Sequence, residues 1–181
     1  MGPSRAAALV WAALALSGVG LASCKPPPTD AEMARRAPQP EPTYASDPLP
    51  SPDTTGAVWA VSGKDTQRLL YGVPGEPALM ALACADQSDT PRVQITRMSP
   101  ADEGAGALLA FVGNGHIGRI EVDAVEVSGQ SVWQGEIPAS DPALEPLTGP
   151  RQFTATIPGA GMVTFNPSPA PMEWLERCRA S

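Results

Sequence analysis

Between Ala57 and Phe165 the chain is cut into nine short apolar or alternating runs: AVWAVSG, RLLYGV, ALMALAC, RVQITRM, ALLAFVG, IGRIEVDAVEV, SVWQGEI, RQFTATI and GMVTF. Glycine, proline, aspartate and asparagine fill the gaps, and runs of this length bounded by turn formers are strand signals. Many short strands at this spacing predict a mainly β domain, an antiparallel sandwich or small barrel, rather than βαβ units. In RVQITRM, Val93, Ile95 and Arg97 share one face while Arg92, Gln94 and Thr96 share the other, so one face is expected to meet a core and the other water. In IGRIEVDAVEV the apolar phase runs Ile120, Val122, Ala124 and then slips to Val125 and Val127. A bulge or bend near Ala124 would restore the inward row.

Two helical interruptions break the β pattern. Asp141 followed by Pro142 reads as a cap and first helical position, and Pro146 limits that helix to little more than a turn. In SPAPMEWLERCRAS, Ser168 or Pro169 leads into Met172, Trp174, Leu175 and Cys178, with Glu173 early and Arg177 and Arg179 late. That order of charges suits the helix dipole, and the spacing gives one apolar side ending in a thiol. A mainly β domain over 56–181 with a short C-terminal helix is the expected architecture.

The residues ahead of it are different. KPPPTDAEMARRAPQPEPTYASDPLPSPDTTG is crowded with proline and almost free of aliphatic side chains, so it buries too little apolar area to offset the entropy of ordering. Residues 24–55 are expected to be a disordered spacer, stiffened toward polyproline II at about 3.1 Å per residue and reaching up to about 90 Å. The AEMARR stretch is read as part of the same solvated linker. Before it, MGPSR carries one positive charge and no acid, and AAALVWAALALSGV carries no charge. These are the n-region and h-region of an export signal over 1–23. A membrane-crossing helix needs about 20 apolar residues, and this run is shorter.

Leu21-Ala22-Ser23-Cys24 closes that run and resembles the bacterial lipobox. The resemblance implies that Cys24 becomes the first mature residue, its thiolate taking a diacylglycerol, with palmitate-type chains holding the protein in a bilayer. Each buried CH₂ is worth about 0.8 kcal/mol, one chain anchors marginally, and three anchor in effect permanently. Lys25 rather than an aspartate follows the lipidated position, which in Gram-negative lipoproteins favours the outer membrane, facing the periplasm.

With Cys24 lipidated, Cys84 and Cys178 remain, and an exported pair most simply forms a disulfide in an oxidising compartment. It would clip the last helix onto the ALMALAC strand. The alternatives are a zinc site of both cysteines with His116, or Cys84 as a nucleophile; neither has the ligand spacing or partner motif such chemistry requires. His116, the one histidine, sits in GNGHIG, where a tight hairpin turn at Asn114-Gly115 accounts for the glycines. There is no G-x-S-x-G or comparable nucleophile motif. Glu121 and Asp123 share a strand face and form a carboxylate pair in principle suited to glycoside hydrolysis, against the commoner role of solvated surface. No metal or cofactor is expected.

The formal net charge is −7, and removing a signal that contains Arg5 leaves 11 basic residues against 19 acidic ones. With no basic stripe, nucleic acid and anionic headgroups are disfavoured partners.

The order of parts, with Leu82-Ala83-Cys84, then PASDPALEPL from Pro138 to Leu147, Arg151-Gln152-Phe153 and a closing helix with ERCR from Glu176 to Arg179, is similar to a group of small uncharacterised lipoproteins from alphaproteobacteria. The resemblance covers most of the domain and not the linker. It implies the envelope location, the Cys84–Cys178 pairing and a compact β domain, and it carries over no catalytic residue. The chain departs from that group at the proline-rich FNPSPAP before the last helix.

Two classes of function follow. The first is a tethered, non-enzymatic binding or structural module for an envelope protein or peptidoglycan, an inhibitor of cell-wall hydrolases among its variants. Trp59, Trp133 and Trp174 are then core anchors before they are binding aromatics. The second is a hydrolase of peptidoglycan or other glycans, with His116, Glu121 and Asp123 as its acid and base groups.

Overall fold

In a computed structural model of the chain, which describes residues 46–85 and 90–181, each of the nine runs is a strand. They are β1 Val58–Val61, β2 Arg68–Gly72, β3 Met80–Ala85, β4 Arg92–Pro100, β5 Gly106–Gly113, β6 His116–Val127, β7 Gln130–Pro138, β8 Phe153–Thr156 and β9 Met162–Phe165. All pairings are antiparallel, in the order β1-β2-β3-β4-β7-β6-β5-β8-β9, and the sheet curls into a nearly closed barrel. The expected choice between sandwich and small barrel thus resolves to the barrel. The expected signal peptide, Cys24 and the spacer up to residue 45 lie outside the described residues.

Turn chemistry sets the hairpins on either side of β6. Asn114 (φ 52°) and Gly115 (φ 89°) join β5 to β6, and Ser128 (φ 53°) and Gly129 (φ 83°) join β6 to β7. Left-handed geometry at both central residues matches the twist of the strands it joins. Asn114 is held there by its amide, which donates to the carbonyls of Pro146 (2.7 Å) and Gly149 (3.1 Å).

The expected bulge near Ala124 is not where the ladder breaks. β6 keeps an unbroken register with β5 up to Asp123 and with β7 from Asp123 onward. The slip in its apolar phase marks a change of neighbour: beyond Asp123 the strand pairs with β7 alone, and Val125 and Val127 are only half-buried. The irregularity falls in β4, between Arg97 and Pro100. Gly135 lets β7 cross close to β6, because a Cβ there would collide with the Glu121 carbonyl oxygen.

Alternation fills the barrel. Val93, Ile95, Leu109, Phe111, Ile120 and Val122 are buried. Arg97 joins this inward row, as the alternation predicts, and is buried too. The outer face of β4 departs from expectation at Thr96, which is buried and accepts a hydrogen bond from the Gln134 amide at 3.0 Å.

Helical segments close one end. Asp141 caps a 3-10 helix, Pro142–Leu147, by accepting from the Ala143 amide at 2.8 Å. It packs against β6 at Gly118, where a side chain would meet the Ala143 carbonyl. The C-terminal helix α1, Ala170–Arg179, buries Pro171, Trp174, Leu175 and Cys178. Cys84 and Cys178 form a disulfide with Cα atoms 5.6 Å apart.

The backbone ladder stops at β1 and β9, and side chains bridge the seam between them. Trp59, Tyr71, Phe153 and Phe165 pack as an aromatic cluster, with Phe153 and Phe165 centroids 4.4 Å apart and Trp59 and Phe165 5.0 Å apart. The Tyr71 hydroxyl donates to the Thr164 carbonyl (2.9 Å) and accepts from the Asn166 amide (3.0 Å), and burial raises its pKa above the ordinary tyrosine value. Asn166 donates to the carbonyls of Thr54 and Ala57, both at 2.9 Å. FNPSPAP is therefore part of the closure.

The expected domain start at Gly56 needs correction, because residues 46–55 lie along the barrel as a strap. Ser46 donates to Asp102, Leu49 N–H to the Gly159 carbonyl (2.8 Å), and the Ser51 hydroxyl accepts from the Met162 amide (3.0 Å). Proline spacing suggests a free linker, yet these residues satisfy backbone groups of the β8–β9 connection that would otherwise face solvent.

Candidate functional site

The acid and base groups singled out in the sequence all lie on β6, and all are exposed. His116 follows the Asn114-Gly115 turn and pairs with Gly113, whereas Glu121 pairs with Leu108 and Asp123 with Gly106. Five residues of strand separate His116 from Glu121, roughly 17 Å at about 3.3 Å per residue. Glu121 and Asp123 border a shallow surface depression with Gln94, Gln134 and Glu136. Within it, Glu136 is ion-paired with Arg92, whose guanidinium also donates to the Glu136 carbonyl at 3.2 Å. The structure thus gathers the carboxylates and leaves the histidine at the far end of the strand.

The cysteine alternatives are overturned by the disulfide, which leaves neither sulfur free as a zinc ligand or a nucleophile. Among the described residues no group of three or more His, Cys, Asp or Glu side chains is placed to hold a metal ion. Trp133 and Trp174 are core residues, and Trp59 is half-buried in the seam cluster. The Trp174 indole donates to the Gln67 carbonyl at 3.0 Å.

A second feature was not singled out in the sequence. At the end of the barrel carrying the β4–β5 and β8–β9 connections, the strap roofs a cavity of about 350 Å³. Leu49, Ala101, Ala107 and Pro158 give it apolar walls, Trp133 lines it, and Asp47 and Asp102 stand at its polar side. The Ser46 hydroxyl and amide both donate to the Asp102 carboxylate and hold its pKa below the ordinary aspartate value. The one sequence signal for the strap is Asp53-Thr54-Thr55-Gly56. Asp53 accepts from the Thr55 amide at 2.8 Å and Gly56 takes φ 75°, a turn directly before β1.

The Ser46–Asp102 pair is expected to make strap docking pH-dependent. A carboxylate whose folded pKa is depressed contributes stability above its unfolded pKa of about 3.9, and that contribution is lost as pH falls through the lower folded value. Hydrogen exchange at the Leu49 amide, corrected for intrinsic rate, is expected to keep its protection at pH 5 and to lose it progressively as the pH falls below about 4. Asp102→Ala should show the weaker protection already at pH 6; equal protection in variant and wild type would count against the pair.

Comparisons with protein-family models, curated proteins and solved structures found no match to this chain.

Proposed function

We propose that the chain is a cell-envelope lipoprotein. Residues 1–23 direct export, Cys24 is acylated, and the proline-rich spacer carries the barrel into the periplasm from the outer membrane. The domain is a non-enzymatic binding or structural module for an envelope protein or peptidoglycan. The observation that carries this reading is the Leu21-Ala22-Ser23-Cys24 junction, where an uncharged apolar run stops and a proline-rich spacer begins. The Cys84–Cys178 disulfide suits the oxidising side of that membrane. Among the described residues no helix is long and apolar enough to cross a bilayer. The non-enzymatic character is supported by the separation of His116 from Glu121 and Asp123 along β6.

Mass spectrometry of the native protein tests the anchor. The amino-terminal peptide is expected to begin at Cys24 and carry acyl groups, and Cys24→Ala should move the protein from the detergent phase to the aqueous phase almost completely. A free thiol at residue 24 in the native protein would sink the proposal. Retention on purified peptidoglycan, compared with capture from envelope extract, then separates a wall ligand from a protein partner.

A further inference from the structure

Asn114-Gly115 does more than turn the chain. An asparagine side chain is open to attack by the backbone nitrogen of the next residue when that residue is unhindered and has an N–H to lose. The sequence holds two asparagines, Asn114 before Gly115 and Asn166 before Pro167. Proline has no N–H, so Asn166 is closed to this reaction. Glycine offers its N–H with no side chain in the way. The folded domain withholds Asn114 all the same. Its Nδ2, the atom that must depart, donates to the carbonyls of Pro146 (2.7 Å) and Gly149 (3.1 Å). Its Oδ1 accepts from the Arg151 amide at 3.3 Å. Gly149 backs the same group so closely that a Cβ there would collide with Oδ1 and Cγ, which leaves little room for a planar carbon to become tetrahedral. Gly115 itself is exposed, so water reaches the turn.

We propose that Asn114 is a deamidation site that the fold keeps latent, released when the 3-10 helix Pro142–Leu147 and the loop behind it let go of the β5–β6 turn. In the step, the Gly115 nitrogen bonds to Cγ, the Cγ–Nδ2 bond breaks, and the Gly115 proton leaves with Nδ2 as ammonia. Water then opens the succinimide ring at either carbonyl, giving aspartate or isoaspartate; nothing is oxidised or reduced. Either product loses the clasp. A carboxylate has no donor for the Pro146 and Gly149 carbonyls. Isoaspartate also adds a methylene to the main chain, which a tight turn with left-handed geometry at both central residues does not absorb. The reaction therefore marks chains that have been open and keeps them from closing as before. The inference concerns the folded domain and does not depend on the acyl anchor.

Peptide mapping by mass spectrometry tests it. Trypsin releases residues 98–119, which contain Asn114 and no glutamine, so conversion of amide to acid in this peptide reports Asn114 alone. The purified full chain is incubated in mildly alkaline buffer, folded and in urea. Deamidation of the folded protein is expected to be at least about tenfold slower than that of the urea-unfolded chain. Gly149→Ala, whose methyl displaces the Asn114 side chain from its clasp, should speed the reaction in the folded protein at least about threefold and leave the rate in urea unchanged. Ile95→Val, a core change on β4, lowers global stability without touching the clasp and should leave the folded-state rate unchanged. The wild-type comparison needs no variant, so it decides the matter even where Gly149→Ala does not fold. Equal rates in folded and unfolded wild type, or a peptide that stays unmodified even in urea, would overturn the proposal. So would a folded Gly149→Ala that reacts no faster than wild type, or an Ile95→Val that speeds the reaction as much as Gly149→Ala does.

Discussion

Replacing both Cys84 and Cys178 by alanine is expected to lower stability by about 2 to 5 kcal/mol, a drop in melting temperature of roughly 10 to 20 °C. The bridge spans 94 residues of sequence, and in the chain-entropy model closing a loop of that size restricts the unfolded state by about 4 to 5 kcal/mol. The folded state retains other anchors for α1. Trp174 and Leu175 are buried against the barrel, the Trp174 indole donates to Gln67, and Arg179 donates to the Ala139 carbonyl at 2.8 Å and pairs with Glu145 at 3.4 Å. The double variant should therefore fold to the same structure and simply melt earlier. Because the loss sits mainly in the unfolded chain, the denaturant slope should rise as that chain becomes more open. Reduction of the wild-type protein should reproduce the same loss, so the domain would be much less stable in a reducing compartment. A change below about 1 kcal/mol in both experiments would show that the apolar face of α1 suffices without the bridge.

That bridge was legible before the fold was, and so were the strands, because both are written in local signals. The nine runs match the nine strands, Asn114-Gly115 turns where its left-handed geometry demands, and Asp141 caps the short helix it precedes. Strand order is a different kind of fact. Alternation says which face of β4 looks inward, and it does not say that β7 rather than β5 lies beside it. The slip at Ala124 was visible as a break in phase, yet a bulge and a change of neighbour leave the same trace in a sequence. The strap was hidden by composition. Its prolines lower the prospects for a ladder, while the contacts that hold it come from single polar groups, Ser46, Ser51 and Thr54, whose partners lie far along the chain. The mouth cavity follows from the strap, so it was equally invisible, and Asp102 looked like any turn aspartate.

Arg97 is the position where the inward row of β4 departs most from an apolar core, and its substitution should separate size from charge. The guanidinium donates to the Leu79 carbonyl at 2.9 Å and to the Ala160 carbonyl at 3.3 Å. Among the described residues no carboxylate pairs with it, and burial lowers its pKa from the ordinary arginine value. Arg97→Ala removes a large buried side chain and leaves the Ala160 carbonyl without that donor, so a loss of about 2 to 5 kcal/mol is expected. The Leu79 carbonyl keeps the Met98 amide at 3.0 Å. Arg97→Met keeps most of the volume and deletes a desolvated charge, so it should fall within about 1 kcal/mol of the wild type. Arg97→Lys supplies the sign of the electrostatic effect. A lysine in this place would have its folded pKa depressed below the unfolded value of about 10.4, so between the two values the unfolded chain holds a proton that the folded chain does not. Stability then rises with pH through that interval, and denaturation at pH 7 and pH 10 should show Arg97→Lys closing part of its gap to wild type. A gap that stays constant with pH, together with a methionine variant as unstable as the alanine one, would mean that the two carbonyl hydrogen bonds outweigh the burial of the charge.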